Sequence, residues 1–131
     1  MFAWSTFRGF IAALLLTGSA AVAYAAFSAE PAIAAGVPVV IASDQLPAEA
    51  RQTLALIKHG GSYPFHKDGA IFGNFEHALP KQARGYYHEY TVPTPGARNR
   101  GGRRIVVGDA QPLPEYFFTG DHYRTFLRIQ E

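Results

Sequence analysis

Apolar and polar positions divide this chain into three regimes. The first is "MFAWSTFRGFIAALLLTGSAAVAYAA" (1–26), where one cation, Arg8, precedes a mostly apolar run from Gly9 to Ala23. As a helix that run would be about 22 Å long at ~1.5 Å per residue, short of the ~30 Å hydrocarbon core. Small Ala23 and Ala25 close it in the pattern a signal peptidase prefers. Residues 1–25 are therefore expected to be a cleaved secretory signal peptide. An uncleaved anchor is the competing reading, because Phe2 and Trp4 would lengthen the apolar span. Either way the remainder is expected to be exported, and after signal cleavage to be extracellular with no stable membrane association. The second regime, "AFSAEPAIAAGVPVVIASD" (26–44), has almost no charge, no helix caps and no clean alternation. It reads as a linker or pro-segment, although Val37 to Ile41 could pair as an edge strand.

The third regime, residues 45–131, carries the folding signals. In "LPAEARQTLALIKHGG" Pro47 suits a first helical position and Glu49 favours the positive end of the dipole. Ala50, Leu54 and Ile57 recur at i, i+4, i+7 as a core-facing stripe, and Gly60-Gly61 stop the helix. Strand-like pieces follow, separated by Gly and Pro: Gly69–Phe72, Tyr86–Val92, Arg103–Val107, Tyr116–Thr119 and Thr125–Ile129. One helix followed by strands with no helices between them predicts an α+β domain, the N-terminal helix packed on a twisted antiparallel sheet. Alternation in "YYHEYTV" puts Tyr87, Glu89 and Thr91 on one face and Tyr86, His88 and Tyr90 on the other. A sheet covered by its helix on one side leaves the opposite face to solvent, and Glu89 belongs there, since burying a lone carboxylate is costly.

Composition sharpens this picture in two places. The chain has no cysteine, so a small exported domain of about 87 residues must rely on packing and hydrogen bonds, and no cysteine-based metal site is possible. The five histidines show no HExxH spacing, and neither a metal nor a cofactor is expected. The formal charge is only +2, but four of the twelve Lys+Arg residues, Arg98, Arg100, Arg103 and Arg104, fall within seven positions. Such clustering is the footprint of a phosphate-binding surface, or else a solvated arginine-rich loop. An antiparallel partner strand through "RRIVV" would bring Arg103 or Arg104 across from Glu89, and the loop "TPGARNRGG" would bring Arg98 and Arg100 near. Those cations favour an ionised carboxylate. A cross-strand salt bridge explains one arginine but not four. In "TGDHYRTF", His122 follows a Gly-Asp turn at a strand edge, where a histidine is most often plain surface. Paired with Glu89 across a cleft it becomes a candidate general acid.

The segments "DGAIFGNFE", "YYHEYTVPTPGARNRGGRRIV" and "YFFTGDHYRTF", in that order after "LPAEARQTLALI", resemble the secreted guanyl-specific microbial ribonucleases. The match is to the barnase-like branch and, within it, to the small Streptomyces enzymes, and it runs from about Leu46 to Ile129. The resemblance implies the microbial ribonuclease fold and metal-free cleavage of single-stranded RNA 3′ of guanosine through a 2′,3′-cyclic phosphate. Glu89 would be the general base and His122 the general acid, with Arg100 and Arg104 on the phosphate. In "FGNFE" Glu76 would accept two N–H groups of guanine, backbone N–H groups of Gly73, Asn74 and Phe75 would face O6, and Phe72 would stack on the base. Tyr123 would line the cleft. The resemblance further implies a monomer and a possible acidic, barstar-like inhibitor protein as partner. The alternative is a non-catalytic module on the same fold that binds RNA or inhibitor. Family members often carry a polar residue where Gly73 stands and a basic or polar one where Phe75 stands. His59, His66, His77 and His88 are expected to have no catalytic role.

Overall fold

The computed structural model describes residues 38–131; the expected signal peptide and the expected linker up to residue 37 lie outside the described residues. The elements are β1 (Val39–Ala42), a 3-10 turn (Ser43–Gln45), α1 (Ala48–Lys58), β2 (Ala70–Ile71), β3 (Tyr87–Thr91), β4 (Arg104–Gly108), β5 (Glu115–Thr119) and β6 (Leu127–Gln130). They form one helix and a six-stranded sheet in the order β1-β6-β5-β4-β3-β2. Neighbours pair antiparallel from β2 through β6, as the strand succession predicts. The exception is β1, which pairs parallel with β6, Val39 opposite Leu127 and Ile41 opposite Ile129. The sheet is therefore mixed, and it begins inside the stretch read as a linker.

Helix α1 presents Ala50 and Leu54 to the sheet, where they meet Val92, Ile105, Phe118 and Ile129. Burying a leucine such as Leu54 stabilises the fold by about 1.5–3 kcal/mol. The helix ends where Gly60 and Gly61 take φ of 83° and 96°, a region closed to most side chains. Arg103 does not reach Glu89; it pairs with Glu49 in the first turn of α1 at 3.7 Å.

The opposite face departs from the expectation of an open, solvated surface. Tyr87, Val106 and Phe117 stand side by side there, too much apolar area to leave wet. Leu79 and Phe126 come from loops to cover them, forming a second buried cluster edged by Phe72, Tyr86 and Tyr123. Glu89 lies on this second face, beside that cluster.

Candidate active site

Strand β3 fixes Glu89 between two neighbours in the sheet, Ala70 of β2 and Val106 of β4. Its side chain is 13% exposed. One carboxylate oxygen, Oε2, accepts from the Tyr123 hydroxyl at 2.5 Å; the other, Oε1, accepts from Arg100 Nη2 at 3.4 Å. Burial, followed by the adjacent Glu89 carboxylate, pushes the Tyr123 phenol above the ordinary tyrosine range, so the phenol remains the donor. The expected residue across from Glu89 was Arg103 or Arg104. The register instead sets Arg104 against Thr91, two residues along, on the same face.

Of the four clustered arginines, two converge on this spot. Arg100 is held by Thr91, whose Oγ1 accepts from Nε at 3.1 Å and from Nη2 at 2.8 Å. Arg104 is buried, 2% exposed, and its Nη1 donates to the carbonyls of Arg100, Gly101 and Arg103. Its Nε donates to the Tyr123 hydroxyl at 3.2 Å. Among the described residues, Arg100 Nη1 and Arg104 Nη2 make no hydrogen bond. Arg98 is exposed and Arg103 is turned to α1, so the cluster contributes two cations to the site rather than four.

His122 enters from the turn after β5. Its backbone N–H donates to the carbonyl of Gly102 at 3.0 Å, tying the turn to the loop that carries Arg100 and leads into β4 at Arg104. The imidazole is exposed and lies 4.9 Å, centre to centre, from the Tyr123 ring. His122 and Tyr123 both have left-handed backbones, φ 56° and 69°. The Tyr123 hydroxyl is the one that donates to Glu89.

The loop after β2 supplies the rest. The Phe72 ring stacks on Tyr123 at 5.0 Å between centroids. Asn74, 8% exposed and with φ 51°, faces inward: its amide donates to the carbonyl of Leu79 and its Oδ1 accepts the Leu79 N–H. That side chain staples the loop shut and only its backbone is left for a ligand. Glu76 and Phe75 are exposed, Phe75 to 83%. A cleft of ≈ 610 Å³ runs from Gly73, Phe75 and Glu76 past Phe72 to Glu89 and Tyr123. The loop and the carboxylate site therefore belong to one continuous depression. His66 and Lys67 also line it, whereas His59 bonds the last turn of α1 and His88 bonds the carbonyl of Gly69.

Over residues 29–130 the chain matches the family described as ribonuclease. This chain belongs to that family. The ribonuclease is 55% identical over 86 residues to guanyl-specific ribonuclease Sa of Kitasatospora aureofaciens, covering 66% of this chain and 88% of that protein. It is 56% identical over 81 residues to guanyl-specific ribonuclease St of Saccharopolyspora erythraea, covering 62% and 77% of the two chains. Among solved structures, ribonuclease Sa2 with guanosine-2′-cyclophosphate superposes with a TM-score of 0.66 at 45% identity, over 72% of this chain and 97% of that one.

Two residues that shape this candidate site were given no part in it by the sequence reading. Thr91 is named by alternation as a neighbour of Glu89, but nothing in its spacing to Arg100 announces a nine-residue return of the loop. Asp121 reads as a turn residue; its carboxylate in fact accepts from Thr119, from the Thr125 backbone and from the Thr125 hydroxyl, and so frames the turn that bears His122.

Proposed function

We propose that this ribonuclease is a guanyl-specific endoribonuclease that cleaves single-stranded RNA 3′ of guanosine by transphosphorylation. The observation that carries the reading is the Glu89 carboxylate, held by Arg100 and the Tyr123 hydroxyl at one end of a cleft whose other end is the Phe72–Glu76 loop. Its relatives are named guanyl-specific ribonucleases, and ribonuclease Sa2 has been crystallised with guanosine-2′-cyclophosphate and with 3′-GMP.

Glu89 takes the proton of the ribose 2′-hydroxyl as the 2′-oxygen attacks phosphorus. The bond from phosphorus to the 5′-oxygen breaks, and His122 protonates that oxygen as it leaves. The product is a 2′,3′-cyclic phosphate. Water then opens it with the roles reversed, His122 as base and Glu89 as acid. Each proton-transfer partner contributes ~10²–10⁴ in rate. Arg100 and Arg104 offer their uncommitted guanidinium ends to the phosphate, where charge develops in the transition state. No residue of this scheme calls on a metal.

Guanine is read by the loop. Phe72 stacks on the base, a contact worth roughly 1–3 kcal/mol. Glu76 accepts N1–H and the exocyclic amine, and the backbone N–H groups of Gly73, Asn74 and Phe75 face O6. Adenine would leave Glu76 and those donors unpaired. The same reading takes the protein as an exported monomer whose arginine-lined site an acidic, barstar-like inhibitor would occupy.

The test is product mapping on a defined RNA in the presence of EDTA, comparing wild type with Glu76→Ala and His122→Ala. Wild type is expected to cut after guanosine, Glu76→Ala to lose that preference, and His122→Ala to lose ~10²-fold or more in rate while remaining folded. Cleavage that EDTA abolishes would sink the mechanism. An unaltered cutting pattern in Glu76→Ala would sink the assigned base pocket.

A further inference from the structure

A second depression lies on the other side of the base loop. It encloses ≈ 210 Å³ and shares Phe72, Gly73, Asn74 and Phe75 with the cleft that holds Glu89. Its remaining wall brings in His77, Lys81 and Arg84, and no carboxylate lines it. The catalytic cleft, by contrast, contains both Glu76 and Glu89. Neither Lys81 nor Arg84 is ion-paired among the described residues.

The backbone under these cations is firmly held. Asn74 bonds Leu79 and Pro80, the Tyr87 hydroxyl donates to the Pro80 carbonyl at 2.7 Å, and the Tyr86 N–H closes a turn onto Ala83. Burial pushes the Tyr87 phenol up to about 12, so that donor persists at any pH the fold meets. Lys81 follows the pinned Pro80, and Arg84 sits inside the Ala83–Tyr86 turn.

Phe75 completes the feature. A side chain at Gly73 would meet the Phe75 ring at 2.4 Å, so the ring packs against bare backbone that only glycine provides. The ring lies against that backbone on one side, while the residue stays 83% exposed. An exposed aromatic ring backed by main chain, beside uncompensated cations, is the combination that binds a single nucleic-acid strand. The ring stacks a base and the cations neutralise a phosphate.

We propose that this groove seats a nucleotide of the RNA strand flanking the dinucleotide at the cleavage site, its base against Phe75 and its phosphate toward Lys81 and Arg84. The proposal rests on the cleavage reading above, because the guanosine in the neighbouring cleft sets where the strand continues.

Binding to the full chain tests it, with probes whose guanosine is 2′-deoxy and therefore uncleavable. One probe is the dinucleotide of 2′-deoxyguanosine and cytidine; two longer probes add two uridines to it on the 5′ or on the 3′ side. Wild type is expected to bind one of the longer probes about three- to tenfold more tightly than the dinucleotide. The double variant Lys81→Gln/Arg84→Gln is expected to lose that gain and bind the dinucleotide unchanged. Its salt dependence on that longer probe should become shallower, by a slope of about 0.7 for each phosphate no longer neutralised. Equal affinity of wild type for all three probes, or a gain that survives in the double variant, would overturn the groove while leaving cleavage after guanosine intact. RNA cut at no guanosine, together with a dinucleotide that does not bind, would remove the cleavage reading and the groove with it.

Discussion

Thr91 shows how much of this site hangs on one hydroxyl. It is 1% exposed, it stands two residues beyond Glu89 on the same face of β3, and its Oγ1 accepts two hydrogen bonds from Arg100. Arg100 comes from a loop of prolines and glycines that is exposed over most of its length. In the proposed mechanism the hydroxyl is a positioning group, orienting Arg100 so that one end meets Glu89 and the other is left for the phosphate. Hydrogen bonds to a charged partner contribute ~1.5–3 kcal/mol. Thr91→Val, which keeps the shape and removes the acceptor, should lower kcat/KM by about 10- to 100-fold. Thr91→Ser, which restores the acceptor, should recover most of that activity. Steady-state kinetics on a guanosine-containing dinucleotide checks both. A purely structural role predicts that Thr91→Ser and Thr91→Val track their denaturation midpoints instead, with activity per folded molecule unchanged.

At the scale of an element, the turn between β5 and β6 carries the proposed general acid, and it is under strain. His122 and Tyr123 both have positive φ, a state that costs non-glycine residues about 1–3 kcal/mol each. Asp121 and Thr119 offset this: Asp121 accepts three bonds, and the Thr119 hydroxyl accepts the Tyr123 N–H at 3.1 Å. The Thr125 hydroxyl bond first, then the Thr125 backbone bond, hold the Asp121 carboxyl below the usual carboxylate range. A carboxyl lowered by folding stabilises the protein above its unfolded pKa of ~3.9, and that stabilisation is lost as pH falls through the folded value. Asp121→Asn should therefore be less stable than wild type near pH 7, and the gap should close as pH drops below about 4. Parallel denaturation curves at several pH values check this; a gap independent of pH would mean that the charge has no part in it. In the sequence the turn itself was legible, because Gly-Asp followed by a strand signals one. The left-handed pair was not, since no glycine stands at either position to announce it and the His122 N–H finds its acceptor in another loop, at Gly102.

For the molecule as a whole, the elements were legible where the signal was local and obscure where closure was long-range. The Ala50, Leu54 and Ile57 stripe and the alternation through Glu89 both appear as read. The register that sets Val106 beside Glu89 depends on where the Pro93–Gly102 loop ends, which no alternation encodes. The parallel pairing of β1 was similarly hidden, because its partner β6 lies at the other end of the domain. That pairing bears on where the folding unit starts. Ile41 packs against the main core and its strand covers the edge of β6, yet β1 is at the edge of the sheet remote from β3 and Glu89. A chain starting at residue 45 should therefore be less stable than one starting at residue 38, by about 1–2 kcal/mol for the partial burial of Ile41 and its ladder bonds. In a domain of this size that lowers Tm by roughly 4–15 °C. Its uncovered β6 edge should also make it more prone to associate. Per folded molecule at 25 °C its activity should match the longer chain, because no residue of the proposed site touches β1. Thermal unfolding and active-site titration of the two chains separate these effects, and a loss of activity larger than the loss of folded protein would mean that β1 reaches the site after all.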